Sequence, residues 1–245
     1  MNFKFAFCAS TLAFAALTAS ATPVTFYGSD NGVGPGSAHP GSAAAESAFQ
    51  AAAGLTSLVN FEGLATSTNP TGLNLGHGAT LTVTGNVGGG GLATSSLSPA
   101  TTLGYNTTVG GSEFLQMLPD FNSLGATATY NFATGIDAFG AYFTGTESSY
   151  PGAISVRFSD GSSQSLALTK TTAGGIVFFG FTDAGADIVS VAISTGATSS
   201  TRDIWGMDDV RFAAAPAGVP EPGTLFLAGA ALLALAQWSR KRGRA

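Results

Sequence analysis

The chain has 245 residues, enough for one or two domains, and its 9 % charged and 44 % hydrophobic residues exclude wholesale disorder. Thirteen of the fourteen acidic residues, but only four of the nine basic ones, lie between residues 22 and 219. Such an acidic body would repel the phosphates that nucleic-acid binding must neutralise, so we expect no nucleic-acid partner.

Residues 1–21 have the pattern of a secretory signal peptide. Lys4 supplies the positive charge, an apolar run follows, and Ala19-Ser20-Ala21 is the small-x-small pattern that precedes cleavage. Cys8, the single cysteine, lies inside this segment. The mature chain would therefore hold no cysteine, which excludes disulfides, thiolate catalysis and cysteine-based zinc sites.

Residues 22–57 predict a lead-in rich in glycine and alanine. Within it, residues 28–41 predict a loop because glycine, proline, serine and alanine dominate. The stretch 42–53 predicts a short helix, with Ser42 as its N-cap and Gly54 as its stop.

Residues 58–213 predict an all-β body of about ten short strands. The clearest alternation of apolar and polar residues covers 79–84. Residues 133–135 predict a turn between a strand over 127–132 and another over 136–144. Alternation with polar opposite faces favours an antiparallel β-sandwich, and a jelly-roll-like arrangement fits best.

The carboxyl end combines three features in a fixed order. The linker 214–223 contains the motif Val219, Pro220, Glu221 and Pro222. Residues 224–239 are nearly all apolar, and residues 240–245 carry Arg240, Lys241, Arg242 and Arg244. This order predicts a short transmembrane helix whose basic tail stays cytoplasmic while the body lies outside.

Pro-Glu-Pro, a short apolar helix and an arginine-rich terminus together resemble the PEP-CTERM sorting signal of exported Gram-negative bacterial proteins. This tail is also called the ice-binding protein C-terminal domain. The resemblance implies an exosortase, a membrane peptidase, as partner, with residues 219–222 as the recognition element and 240–244 as the stop signal. It also implies a transient single pass through the inner membrane, followed by release to the cell surface or the extracellular polysaccharide.

Parts of the body resemble a common PEP-CTERM ectodomain family of jelly-roll type. They are residues 42–53, 59–64, 136–143, 176–181 and 206–212. The first and last pieces are also similar to jelly-roll carbohydrate-binding modules, in which an early glutamate and an Asp-Asp-Val strand hold a structural calcium ion. The similarity implies Glu62, Asp208 and Asp209 as calcium ligands, and carboxylate oxygens suit that ion. Alternatively, the two aspartates pair with Arg211 or Arg202, or face solvent.

Aromatic residues offer a second kind of binding surface. Trp205, Tyr142 and Tyr150, together with Tyr105, have rings that can stack on the faces of sugars. The alternative for all four residues is packing in the core or in an interface.

Signals for catalysis are sparse. The two histidines, His39 and His77, stand in glycine-rich surroundings with no Gly-x-Ser-x-Gly motif, so neither a serine triad nor a zinc site is expected. A glycosidase would need two facing carboxylates, for which Glu62, Glu113, Glu147, Asp137 and Asp160 are available. We therefore expect a non-enzymatic exported surface protein. The alternatives are a calcium-assisted carbohydrate-binding module and a secreted glycosidase.

Overall fold

The computed structural model describes residues 23–88, 90–94, 101–122, 124–150, 154–159, 164–184, 187–214, 229 and 231–232. Its body is mostly antiparallel β-sheet with one helix. In chain order the elements are β1 (Val24–Asn31), α1 (Pro40–Ala53), β2 (Ser57–Val59), β3 (Leu73–Gly76), β4 (Ala79–Thr84), β5 (Gly91–Thr94), β6 (Glu113–Met117), β7 (Gly125–Thr144), β8 (Ile154–Ser159), β9 (Gln164–Leu168), β10 (Gly175–Thr182), β11 (Ile188–Gly196) and β12 (Trp205–Ala214).

The long strand β7 belongs to two layers. Its first half pairs with β4 and β11, and these continue to β3 on one side and to β8 and β9 on the other. Its second half pairs with β10 and β12, which continue to β1 and to β6, β5 and β2. The turn expected at residues 133–135 is therefore wrong, because the strand continues through them from one layer to the other.

Aromatic side chains fill the space between the layers. Phe158 of β8 stacks on Phe181 of β10 with ring centroids 4.5 Å apart. Phe132 of β7 contacts Phe212 of β12 at 5.0 Å. Both pairs join strands of different layers and are buried, so the shared apolar core stabilises the sandwich. The expected antiparallel β-structure with one short helix is confirmed, whereas the jelly-roll connectivity stays a prediction.

Helix α1 covers the outer face of the layer that contains β10. Its anchor is Phe49, which is fully buried and contacts Phe178 of β10 at 5.6 Å. Gly140 and Gly180 leave room for this ring, since an added Cβ would lie 3.3 and 2.8 Å from its atoms. The wholly apolar run of β10 is explained because one of its faces lines the sandwich core and the other meets the helix.

The lead-in at 22–57 contributes β1 and α1 to the sandwich. Residues 28–31, expected to be loop, are part of β1, which pairs along its length with β10. Ser42 is not the N-cap, because the helix begins at Pro40 and His39 precedes it. Instead, Asp30 of β1 accepts hydrogen bonds from the backbone N–H groups of Gly41 and Ser42, at 2.9 and 2.7 Å. A carboxylate on the preceding strand thus satisfies the helix N-terminus.

Among the described residues, no helix has both the length and the apolar character that a membrane span requires. Of the expected transmembrane segment 224–239, the structure describes only Gly229, Ala231 and Leu232, which are helical. The expected signal peptide 1–21 and the basic residues 240–244 lie outside the described residues, as does the motif 219–222.

Candidate functional site

Two consecutive carboxylates of β12 hold one loop of the sandwich. The pairing of β12 with β7 changes register between Asp208 and Arg211, and Asp209 has a φ of 46°. A bulge of this kind breaks strand alternation, and here both aspartate side chains reach the same loop. The hydroxyls of Thr107 and Thr108 donate to Asp209, each at 2.9 Å.

Asp208 is buried, and its carboxyl group has both an oxygen without a hydrogen-bond partner among the described residues and a raised pKa. Its Oδ2 accepts from the N–H groups of Thr107 at 2.7 Å and Thr108 at 3.2 Å. Its Oδ1 is buried and has no hydrogen-bond partner among the described residues. Burial, followed by repulsion from Asp209, raises the pKa of Asp208 to about 7, even though hydrogen bonds from Thr107 lower it.

Glu62 holds the other end of the same loop. Its Oε1 accepts from the Asn106 side chain at 2.9 Å and from the N–H groups of Ser112 and Glu113 at 2.8 and 3.0 Å. In the described part of the chain, no three or more histidine, cysteine, aspartate or glutamate side chains form a group that could hold a metal ion. Glu62 and the two aspartates therefore share a loop but do not assemble into one such group.

A cavity of about 530 Å³ opens beside this loop. Its walls are residues 33–37 and His39 on one side and residues 105–111 on the other, with Ile176 between them. The Tyr105 hydroxyl joins the two walls by donating to the Val33 carbonyl at 2.8 Å. The lining mixes apolar surface with hydroxyl, amide and imidazole groups, which suits a small polar ligand.

Three of the four residues expected to bind sugar through aromatic stacking are buried, Tyr105 with 4 % of its surface exposed, which corrects that expectation. Trp205 is 0 % exposed and packs 5.7 Å from Phe143. Tyr142 is 3 % exposed, and its hydroxyl donates to Glu46 at 2.7 Å. Burial and this hydrogen bond raise the pKa of Tyr142 above its usual range. Tyr150 is 42 % exposed and remains accessible.

The alternative in which Asp208 and Asp209 pair with Arg211 or Arg202 is also replaced by other contacts. Arg211 binds Glu46, with its Nε 2.6 Å from Oε1. Arg202 donates to the Pro119 carbonyl at 3.1 Å and lies 4.2 Å from the Phe121 ring centroid. Sequence reasoning missed the threonines that take the place of the arginines. The signal in the sequence is that two hydroxyl residues, Thr107 and Thr108, are consecutive.

Comparison with known proteins identifies the tail. The family model described as the PEP-CTERM protein-sorting motif matches residues 218–242, which include Val219 to Pro222 and Arg240 to Arg242. The sorting motif is thus confirmed, and it implies export, membrane anchoring before processing, and an exosortase as the processing enzyme.

The body has weaker matches. No curated protein matches the chain. Among solved structures, the K2 cleaved adhesin domain of Lys-gingipain is 16 % identical, with a TM-score of 0.42. The match covers 64 % of this chain and 97 % of that one.

Proposed function

We propose that this chain is a non-enzymatic exported protein whose β-sandwich is delivered to the cell surface or to the extracellular polysaccharide. The match of residues 218–242 to the sorting motif carries the proposal. The tail crosses the inner membrane once, with residues 240–244 in the cytoplasm, until an exosortase cuts near residues 219–222. The last strand of the sandwich ends at Ala214, so cutting there releases the body whole.

The contacts inside the body support a structural role. Glu62, Asp208 and Asp209 bind N–H and O–H donors of the loop between β5 and β6. Glu46 binds Arg211 and Tyr142 across the contact between helix and sheet. These hydrogen bonds hold segments of the body together, and those to ionised carboxylates are stronger than those to neutral groups.

Deletion of residues 219–222 tests the proposal in cells that contain an exosortase. A deletion of residues 215–217 in the same linker is the matched control. We expect the control to lose its tail and reach the outside, whereas the motif deletion keeps full size in the membrane fraction. A motif deletion that is shortened and leaves the membrane as the control does would contradict the proposal.

Calcium-assisted carbohydrate binding is a second candidate, with the sandwich as a jelly roll of the carbohydrate-binding kind. One observation favours it: the buried Oδ1 of Asp208 has no hydrogen-bond partner in the described part of the chain and lies beside a second carboxylate. A glycan array with and without chelator tests it, together with melting temperatures in calcium and in chelator. Glycan binding and a melting temperature that both depend on calcium would support this candidate function. The absence of both effects would remove it.

A further inference from the structure

A second group of ionisable side chains lies apart from the acidic loop contact. Lys170 lies between β9 and β10, and Asp203 lies two residues before the start of β12. The Lys170 Nζ is 2.8 Å from the Asp203 Oδ2, and the two side chains are 7 % and 0 % exposed. An amine and a carboxyl group therefore touch inside the protein.

Glu147 completes the group. Its backbone N–H donates to the Asp203 Oδ2 at 3.0 Å, and its backbone forms a bridge with Thr171, the residue after Lys170. Burial raises the pKa of the Glu147 carboxyl, the charge of Asp203 raises it further, and the charge of Lys170 lowers it. The backbone of Glu147 is thus fixed to the touching pair, and its carboxyl responds to the charge of both groups.

A salt bridge leaves this pair poorly satisfied. The Asp203 Oδ1 is buried without a hydrogen-bond partner among the described residues. Besides Asp203, the Lys170 ammonium has the Tyr150 carbonyl at the long distance of 3.4 Å. Buried ion pairs lose more from desolvation than they gain unless further hydrogen bonds satisfy both groups. An amide in their place would carry no charge and would need fewer partners.

We propose that Lys170 and Asp203 condense to form an intramolecular isopeptide bond, with Glu147 as the group that transfers protons. The Lys170 ammonium first passes a proton to the Asp203 carboxylate, which gives a neutral amine and a neutral acid. The Nζ lone pair then forms a bond to Cγ. The Glu147 carboxylate takes the extra proton from Nζ and gives it to the departing hydroxyl, so that the C–O bond breaks and one water molecule leaves.

The electrostatics of the group favour this reaction. Burial raises the pKa of Asp203 above its ordinary value, although the hydrogen bond from Lys170 opposes the rise. Burial likewise raises the pKa of Glu147. A neutral carboxylic acid is attacked at its carbon far more readily than a carboxylate, and a proton-transfer group works best when its pKa approaches the ambient pH. No oxidant, metal or cofactor is needed to balance the step.

The bond would close a loop that contains β10 and β11. Strand β10 lies between β1 and β7, and β11 lies between β7 and β8. A covalent closure limits the freedom of the unfolded chain. It would also prevent β10 and β11 from being pulled out of the sandwich from either end, which suits a body that has no expected disulfide.

Tryptic mapping of the purified full chain under denaturing and reducing conditions tests the proposal. Trypsin cuts after Arg157, Arg202 and Arg211, but not after a lysine whose amine is part of an amide. We expect fragment 158–202, uncut at Lys170, joined to fragment 203–211, with a combined mass lower by one water molecule. Free fragments 158–170 and 171–202 as the main products would overturn the proposal.

Three variants separate the bond from its chemistry. Lys170→Arg keeps the positive charge and Asp203→Ala removes the carboxyl, and we expect no joined fragment from either. Glu147→Gln keeps the side-chain shape, and we expect most of this variant to remain unjoined. Joining at the wild-type level in Glu147→Gln would overturn the role of that residue, and any joined fragment in Lys170→Arg would overturn the assignment of the bond.

Discussion

Replacement of Asp208 by asparagine should remove a pH dependence that is built into the loop contact. The pKa of Asp208 rises from 3.8 to about 7, mainly through burial. Between these values the folded protein holds a proton on Asp208 that the unfolded chain has released. The free energy of unfolding therefore falls as pH rises through this window and is level above it, with a total loss of about 4 kcal/mol.

Asparagine imitates the protonated carboxyl at every pH. Its oxygen can accept from Thr107 and Thr108, while its amide takes the place of Oδ1. The Asp208→Asn variant should match the wild type near pH 4 and exceed its stability by about 4 kcal/mol at pH 8. The assay is urea unfolding across this range in the presence of chelator, because a bound cation would stabilise the charged form.

The exposed residue Asp187 provides the matched control. Asp187→Asn removes the same single negative charge from the surface, so it measures how much of the change in stability comes from net charge alone. Parallel profiles for the wild type and Asp208→Asn, or a less stable Asp208→Asn at pH 8, would show that burial does not control this carboxyl.

Three further changes concern the helix and the strands beneath it. Phe49→Ala should lower the free energy of unfolding by about 3 to 5 kcal/mol, because it empties a fully buried ring site; a urea titration that gives under 1 kcal/mol would contradict the packing. Gly180→Ala places a Cβ 2.8 Å from the Phe49 ring and should cost about 1 to 3 kcal/mol. Part of its effect should disappear in the Phe49→Ala background, while the contacts with Phe178 and with the Phe139 carbonyl remain. Additivity in this double-mutant cycle would refute the contact with Phe49. Asp30→Ala removes the acceptor for the N–H groups of Gly41 and Ser42 and should cost about 1 to 2 kcal/mol at neutral pH. Burial alone would raise the pKa of Asp30, but the hydrogen bonds from Ser42 and Gly41 outweigh burial and leave the pKa below its ordinary value. The cost should therefore shrink as pH falls through the lowered value, and a thermal melt showing no such decline would contradict the capping role.

Local pattern was enough to predict the strands that follow simple alternation. β4 spans Ala79–Thr84 as expected, because every second residue faces the core. The pattern could not reveal that β1 continues through residues 28–31, since Gly28 and the polar residues after it have low strand propensity and are held there by β10. It also misplaced a turn at 133–135, where β7 continues because its pairing partners are distant in sequence.

The functional residues divide in the same way. The sorting motif is a linear signal, and residues 219–222 could be read directly from the sequence. The burial of the aromatic residues could not be predicted, because the residue type of Trp205 and Tyr142 does not show whether the ring faces a ligand or the core. The Lys170–Asp203 contact is equally invisible in the sequence, since two strands separate its partners.

The low charge content of the body has a different meaning once its carboxylates are located. Asp30 caps α1, Glu62 holds one end of the loop between β5 and β6, and Glu46 binds Arg211. These groups bind N–H donors or a cation rather than water alone. A hydrogen bond to a charged acceptor contributes about twice as much as a neutral one, so a few acidic residues can fix long connections without disulfides. Part of the acidity of the body therefore follows from how its loops and its helix are anchored.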